Sequence, residues 1–123
     1  MCFRKPQSAT CFAATATVRN TKMNILIADI EATGLLPDLK TVDNLLCLAI
    51  KEYQSNDRPI VYANHAGYSG FLEGIRRLAR ADLVVLHNGL AYDRPAIVRF
   101  FGTNALPHLK IYDTLVASRF RNT

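Results

Sequence analysis

Two kinds of apolar pattern alternate along the chain. Residues 24–31 (NILIADIE), 45–53 (LLCLAIKEY), 58–64 (RPIVYAN), 82–88 (DLVVLHN) and 109–113 (LKIYD) are short apolar runs bounded by turn formers. Such runs predict strands. Between Ser69 and Ala81 the spacing changes: Phe71, Leu72, Ile75, Leu78 and Ala79 recur at helical intervals, and Arg76, Arg77 and Arg80 fall off that stripe. Pro95 is suited to a first helical turn and opens a second helix to Gly102, with Ile97, Phe100 and Phe101 turned inward. TLVASRF, from Thr114, begins a third helix. Gly34 and Pro37 break the chain after the first strand, and SNDR between the second and third predicts a short hairpin turn. The order β-β-β-α-β-α-β-α predicts an α/β domain, three antiparallel strands followed by parallel crossovers.

One run carries an anomaly. Ile25, Leu26, Ile27, Ala28 and Ile30 read as the middle of a strand covered on both faces, yet Asp29 and Glu31 lie inside it. Alternate residues of a strand share a face, so the two acids point the same way, about 7 Å apart. Left dry and unpaired they would repel each other, and one would take up a proton. A divalent cation resolves the conflict, because Mg²⁺ takes carboxylate oxygens and keeps much of its own water. The alternative puts both acids past the strand end, in solvent, as turn or cap residues.

A second acid-bearing segment follows the fourth strand. HNGLAYDRP lies at a strand's carboxyl end, where open α/β sheets build their sites. Singly, its residues have ordinary readings: Asn88 and Gly89 as a turn, Asp93 as a helix cap ahead of Pro95. Together they matter more, because the first and fourth strands are expected to be neighbours. Asp29, Glu31 and Asp93 then converge at one sheet edge, a candidate metal site.

Composition narrows the classes. The chain has 123 residues, half of them hydrophobic, and a formal net charge of +5. Residues 1–22 hold Arg4, Lys5, Arg19 and Lys22 and no acid, whereas residues 23–123 hold 11 basic and 10 acidic side chains. The positive charge therefore belongs to the tail and is no footprint for nucleic acid on the body. Rich in Ser, Thr and Ala, residues 1–22 read as a disordered extension upstream of a start at Met23, with a targeting peptide as the alternative. Cys2, Cys11 and Cys47 lack C-x-x-C spacing, which argues against a disulfide framework or zinc and fits a reducing, cytoplasmic setting. No apolar run approaches the roughly 18 residues that span a bilayer, so no membrane partner is expected.

These residues resemble a known family. ADIEATGL resembles the first motif of the DEDD 3′→5′ exonucleases, and HNGLAYD their second, N-x-x-x-[FY]-D. IYDTLVASR is similar to the Asp-Thr segment that follows in the proofreading domains of bacteriophage family A DNA polymerases. The likeness runs from Met23 to about Arg119. It implies a ribonuclease H-like three-layer fold with a mixed five-stranded sheet in the order 3-2-1-4-5, over residues 23–123. It implies that Asp29 bridges two Mg²⁺ or Mn²⁺ ions, that Glu31 helps hold the ion that activates water, and that Asp93 holds the other. Hydrolysis would remove nucleotides from a single-stranded DNA 3′ end in a phage or its bacterial host. The resemblance further implies that Leu35 packs against the terminal base, that Ala32, Thr33 and Gly34 approach the terminal nucleotide, that Asn88 contacts the substrate backbone, and that Tyr92 supports the site. Asp113 is not among the metal ligands and reads as a helix cap with Thr114.

The family's third motif, which supplies a fourth carboxylate and a Tyr or His beside the attacking water, has no counterpart in the 123 residues. His65, His87 and His108 are badly placed for that role, in a loop, at a strand end and after a Pro. The carboxyl-terminal part of the domain is therefore expected to be missing, to be supplied by a further segment or a separate polymerase chain. Two other readings stand beside the exonuclease: an inactive nucleic-acid-binding fragment of a split or truncated polymerase, and an α/β interaction module in which the acids are only caps. Divalent-ion binding separates the last from the others.

Overall fold

The computed structural model describes residues 23–64 and 69–121, so the reading of residues 1–22 lies outside it. The elements are β1 (Ile25–Ala32), β2 (Leu45–Glu52), β3 (Ile60–Ala63), α1 (Ser69–Ala79), β4 (Leu83–Leu86), α2 (Asp93–Phe101), β5 (Ile111–Asp113) and α3 (Thr114–Arg121). They form one mixed five-stranded sheet in the order β3-β2-β1-β4-β5. β1 pairs antiparallel with β2 and parallel with β4, β2 pairs antiparallel with β3, and β4 pairs parallel with β5. This is the α/β class and the 3-2-1-4-5 order expected from the sequence.

One face of the sheet is packed. Leu26, Ala28 and Ile30 of β1 join Leu48, Ile50, Val84 and Leu86 against Phe71, Ile75 and Leu78 of α1 and Ala96 and Ile97 of α2. Phe71 stacks on Phe101 with ring centroids 5.6 Å apart and planes 8° off parallel, which joins the two helices. α1 lies close on the sheet because Gly74 has no side chain there. A Cβ at this position would meet Leu48 at 2.8 Å and Tyr62 at 2.9 Å.

The expectation that β1 is covered on both faces fails. Its burial alternates along the strand, with Leu26, Ala28 and Ile30 buried and Ile27, Asp29 and Glu31 exposed. Apolar side chains on the second face gave the sequence its doubly buried look, since Ile27, Val85 and Tyr112 line one open depression there. The acids are neither in the core nor past the strand. They sit within β1, on its solvent side, where a carboxylate keeps its water.

Two boundaries also differ. In place of a short SNDR turn, residues 53–59 form a longer link between β2 and β3. Gln54 takes φ 65°, the Lys51 ammonium reaches the Ser55 carbonyl, and Pro59, which lacks an N–H, postpones the ladder to Ile60. α2 starts at Asp93, two residues before Pro95. Proline is tolerated there because the first helical turn needs no N–H.

Candidate functional site

The loop from His87 to Tyr92 carries the chain from β4 into α2, and its shape is set by residues at both ends. Asn88 adopts φ 61°, a left-handed conformation that Asn tolerates better than most residues. Gly89 is buried against Leu86, where an added Cβ would come within 2.3 Å of that side chain. The buried Asp113 carboxylate, at the end of β5, accepts the amides of Asn88 (2.9 Å) and Leu90 (3.0 Å). The same carboxylate accepts the Leu115 (3.0 Å) and Val116 (3.4 Å) amides at the start of α3. Asp113 is thus the cap expected, and also a clamp on the loop before Asp93. Burial alone would raise its carboxyl, but the four amides outweigh burial and hold it below the ordinary carboxylate value. Thr114 Oγ1 donates to the Leu86 carbonyl (3.3 Å) and lies 2.9 Å from His87 Nδ1.

Asp93 does not cap α2. It is that helix's first residue, 4% exposed, and its Oδ2 accepts the Ile30 amide of β1 at 3.2 Å. Burial pushes its carboxyl up to about 6, the Ile30 amide offsets part of the shift, and the charge of Asp29 adds to it. Asp29 and Asp93 are therefore electrostatic neighbours across the β1–α2 junction. The field of Glu31 reaches the same place. Tyr92 is raised by burial, then by Asp93 and Glu31, and the Cys47 thiol by burial, then by Glu31 and Asp29.

The turn after β1 is tied from two sides. The Thr33 amide donates to the Asn44 carbonyl (2.9 Å), and Asn44 Nδ2 donates to Thr33 Oγ1 (3.0 Å). Just before α2, the Tyr92 hydroxyl donates to the Gly34 carbonyl at 2.6 Å, and from α2 Arg99 Nη1 donates to the carbonyls of Leu36 (2.6 Å) and Leu39 (2.9 Å). Between these ties Leu35 stands 70% exposed, while Ala32 packs against the core. Arg99, Asn44 and the second role of Asp113 escape sequence reasoning. Arg99 lies within α2, seven residues after Tyr92, but no local pattern links it to residues 36 and 39.

All-carboxylate donors suit a hard divalent ion, and a carboxyl raised by burial and a like charge is one that a cation would relieve. In chemistry the acids fit Mg²⁺ or Mn²⁺. As they are placed, however, no group of three or more His, Cys, Asp or Glu side chains among the described residues forms a ready metal cage. Among the same residues, no helix is long and apolar enough to cross a membrane.

No family model matches the chain. It is similar to the DNA-directed DNA polymerase of Escherichia phage T7, 31% identical over 101 residues, covering 77% of this chain and 14% of that protein. The chain thus spans about one seventh of the length of that relative. Among solved structures it is similar to the family B DNA polymerase from the hyperthermophilic archaeon Pyrobaculum calidifontis. There the TM-score is 0.47 and the identity 20%, over 69% of this chain and 11% of that one. At that level the fold rests on the observed strand order. The sequence similarity relates the chain to part of a DNA polymerase.

Proposed function

We propose that the chain is part of a 3′→5′ exonuclease domain of the polymerase-associated kind, acting on single-stranded DNA 3′ ends. The observation that carries this is Asp93, a buried carboxylate turned from α2 onto the Ile30 amide of β1, raised by burial and by Asp29. A cap or a solvated surface acid would need no such placement.

Asp29, Glu31 and Asp93 would hold Mg²⁺ or Mn²⁺, which when bound supplies Lewis-acid stabilisation and an activated water at a phosphodiester. The chain's own residues do the rest. Asp93 keeps Oδ2 anchored on the Ile30 amide of β1, within the electrostatic reach of Asp29. Tyr92 holds the Gly34 carbonyl, so the turn that would approach the terminal nucleotide cannot drift from α2. The clamp of Asp113 on Asn88 and Leu90 fixes the loop that would meet the substrate backbone.

A second reading, a DNA-binding fragment without turnover, is favoured by the lack of a ready three-acid cage among the described residues. The reading in which every acid is a cap suits Asp113 alone, since Asp29 and Glu31 are mid-strand and Asp93 reaches another element.

Titrating Mn²⁺ while following thermal unfolding tests the metal reading. Saturation should stabilise the wild type by about 2–3 kcal/mol at a hundredfold excess over Kd, and Asp29→Ala should abolish the effect. Equal responses of the two proteins sink the metal site. In the same samples, release of mononucleotides from single-stranded DNA should be very weak, because lost general-base help alone costs about 10²- to 10⁴-fold. Robust digestion abolished by Asp29→Ala would overturn the need for a further carboxylate and make Asp113 the first substitute to examine.

A further inference from the structure

Leu35 is a large apolar side chain held in water on a turn with little freedom to move. A single exposed leucine is ordinary on a protein surface, and Leu109 stands 85% exposed; what sets Leu35 apart is the fastening of the turn that bears it. The fastening comes from the helix that also carries Asp93. Tyr92 holds the carbonyl before Leu35, Arg99 holds the carbonyl after it, and Arg99 also takes Leu39, whose side chain is buried. Within the turn, the Asp38 amide returns to the Leu35 carbonyl (2.9 Å) and the Leu39 amide to that of Leu36 (3.2 Å). α2 therefore sets the distance between the Leu35 side chain and the Asp29–Asp93 pair.

We infer that Arg99 is a positioning residue for a base-stacking subsite at Leu35. It keeps the leucine where the last base of a DNA strand lies against it while the last phosphodiester reaches the acids. This rests on the exonuclease reading above and adds to it a residue outside the family motifs. Arg99 suits the task, since the two hydrogens of its Nη1 meet two carbonyls of one tight turn. Both bonds come from Nη1, so a lysine ammonium that reached the same point could also meet the two carbonyls.

The test compares two short single-stranded oligonucleotides, alike except that one ends in a 3′ 2-aminopurine nucleotide and the other in a 3′ abasic residue. Binding is measured with Mn²⁺ present, by 2-aminopurine fluorescence for the first and competition for the second. Arg99→Met, which keeps the length and loses the donors, should weaken the base-bearing strand about fivefold to tenfold and leave the abasic strand unchanged. Leu35→Ala should do the same, the double variant should be no weaker than the worse single one, and Arg99→Lys should recover part of the loss. Amide hydrogen exchange gives a reading without DNA. Arg99→Met should speed exchange at Asp38 and Leu39 while the α2 amides stay protected. Equal losses on both strands, additive losses, or unchanged exchange overturn the assignment. So does a wild type that binds the two strands alike, a result that leaves the metal reading to the Mn²⁺ titration.

Discussion

The two faces of the sheet are built from the same strands and differ in what lies against them. On one, Leu26, Leu48, Ile50 and Val84 are at most 1% exposed; on the other, Ile27, Tyr53, Val61 and Tyr112 are 39–57% exposed. Acids sort accordingly. Asp29 and Glu31 stay hydrated on the open side, whereas Asp93, drawn under α2, is driven toward its neutral form by burial first and Asp29 second. The Ile30 amide lies between, its side chain in the core and its N–H on Asp93. The chemistry proposed above would therefore lie at the border of the faces, where a packed layer holds one carboxylate near others that remain in water.

The largest effect separates the faces outright. Phe71→Ala removes a fully buried ring stacked on Phe101 and should cost about 3–5 kcal/mol. Tyr112→Ala, half exposed on the open side, should cost under about 1 kcal/mol. Urea unfolding with unchanged slopes measures both. Comparable losses would break the contrast and mean that the second face is packed in solution.

The same contrast shows how far the sequence could be read. Strand order was legible, because helical spacing in Phe71–Ile75–Leu78 is unlike the short apolar runs around it and the crossover rules leave few topologies. The electrostatic influence of Asp29 on Asp93 accords with that order, whereas the expected grouping of Asp29, Glu31 and Asp93 is not formed as a three-acid cluster among the described residues. What was not legible is tertiary. Ile27 and Val85 look like core residues because their side chains suit a strand whichever face they take. Asp93 before a proline looks like a cap, and only the fold turns its carboxylate to β1. Arg99 reaches carbonyls 60 and 63 residues earlier in the chain, a partnership that no periodicity encodes.

A smaller effect comes from pH, and its sign differs between the two buried acids. Asp93 has a folded value of about 6 against an ordinary 3.8, so the folded state binds its proton more tightly and is penalised above pH 6. Lowering the pH from 7 to 5 should relieve roughly 1 kcal/mol, and Asp93→Asn should remove that gain while raising stability at pH 7. Asp113 is lowered, so its contribution is present above the ordinary carboxylate value and is lost as pH falls through its folded value. Stability should therefore rise from pH 7 toward 5 and fall again in stronger acid. A flat profile between 7 and 5 in the wild type would remove Asp93 from the border described above.

The sharpest comparison stays within one strand. Ile27→Thr and Ile30→Thr make the same chemical change three residues apart in β1, on opposite faces. At Ile30 the new hydroxyl enters the core without a partner and leaves a methylene-sized gap, so a loss of about 2–4 kcal/mol is expected. At Ile27 water already reaches the side chain, threonine keeps the β-branched shape that strands favour, and its hydroxyl stays solvated. The expected cost there is below about 1 kcal/mol, with Mn²⁺ binding unchanged because neither the acids nor α2 move. A cost at Ile27 close to that at Ile30 would mean the open face is buried against something in solution. Asp29 and Glu31 would then lose their contact with water.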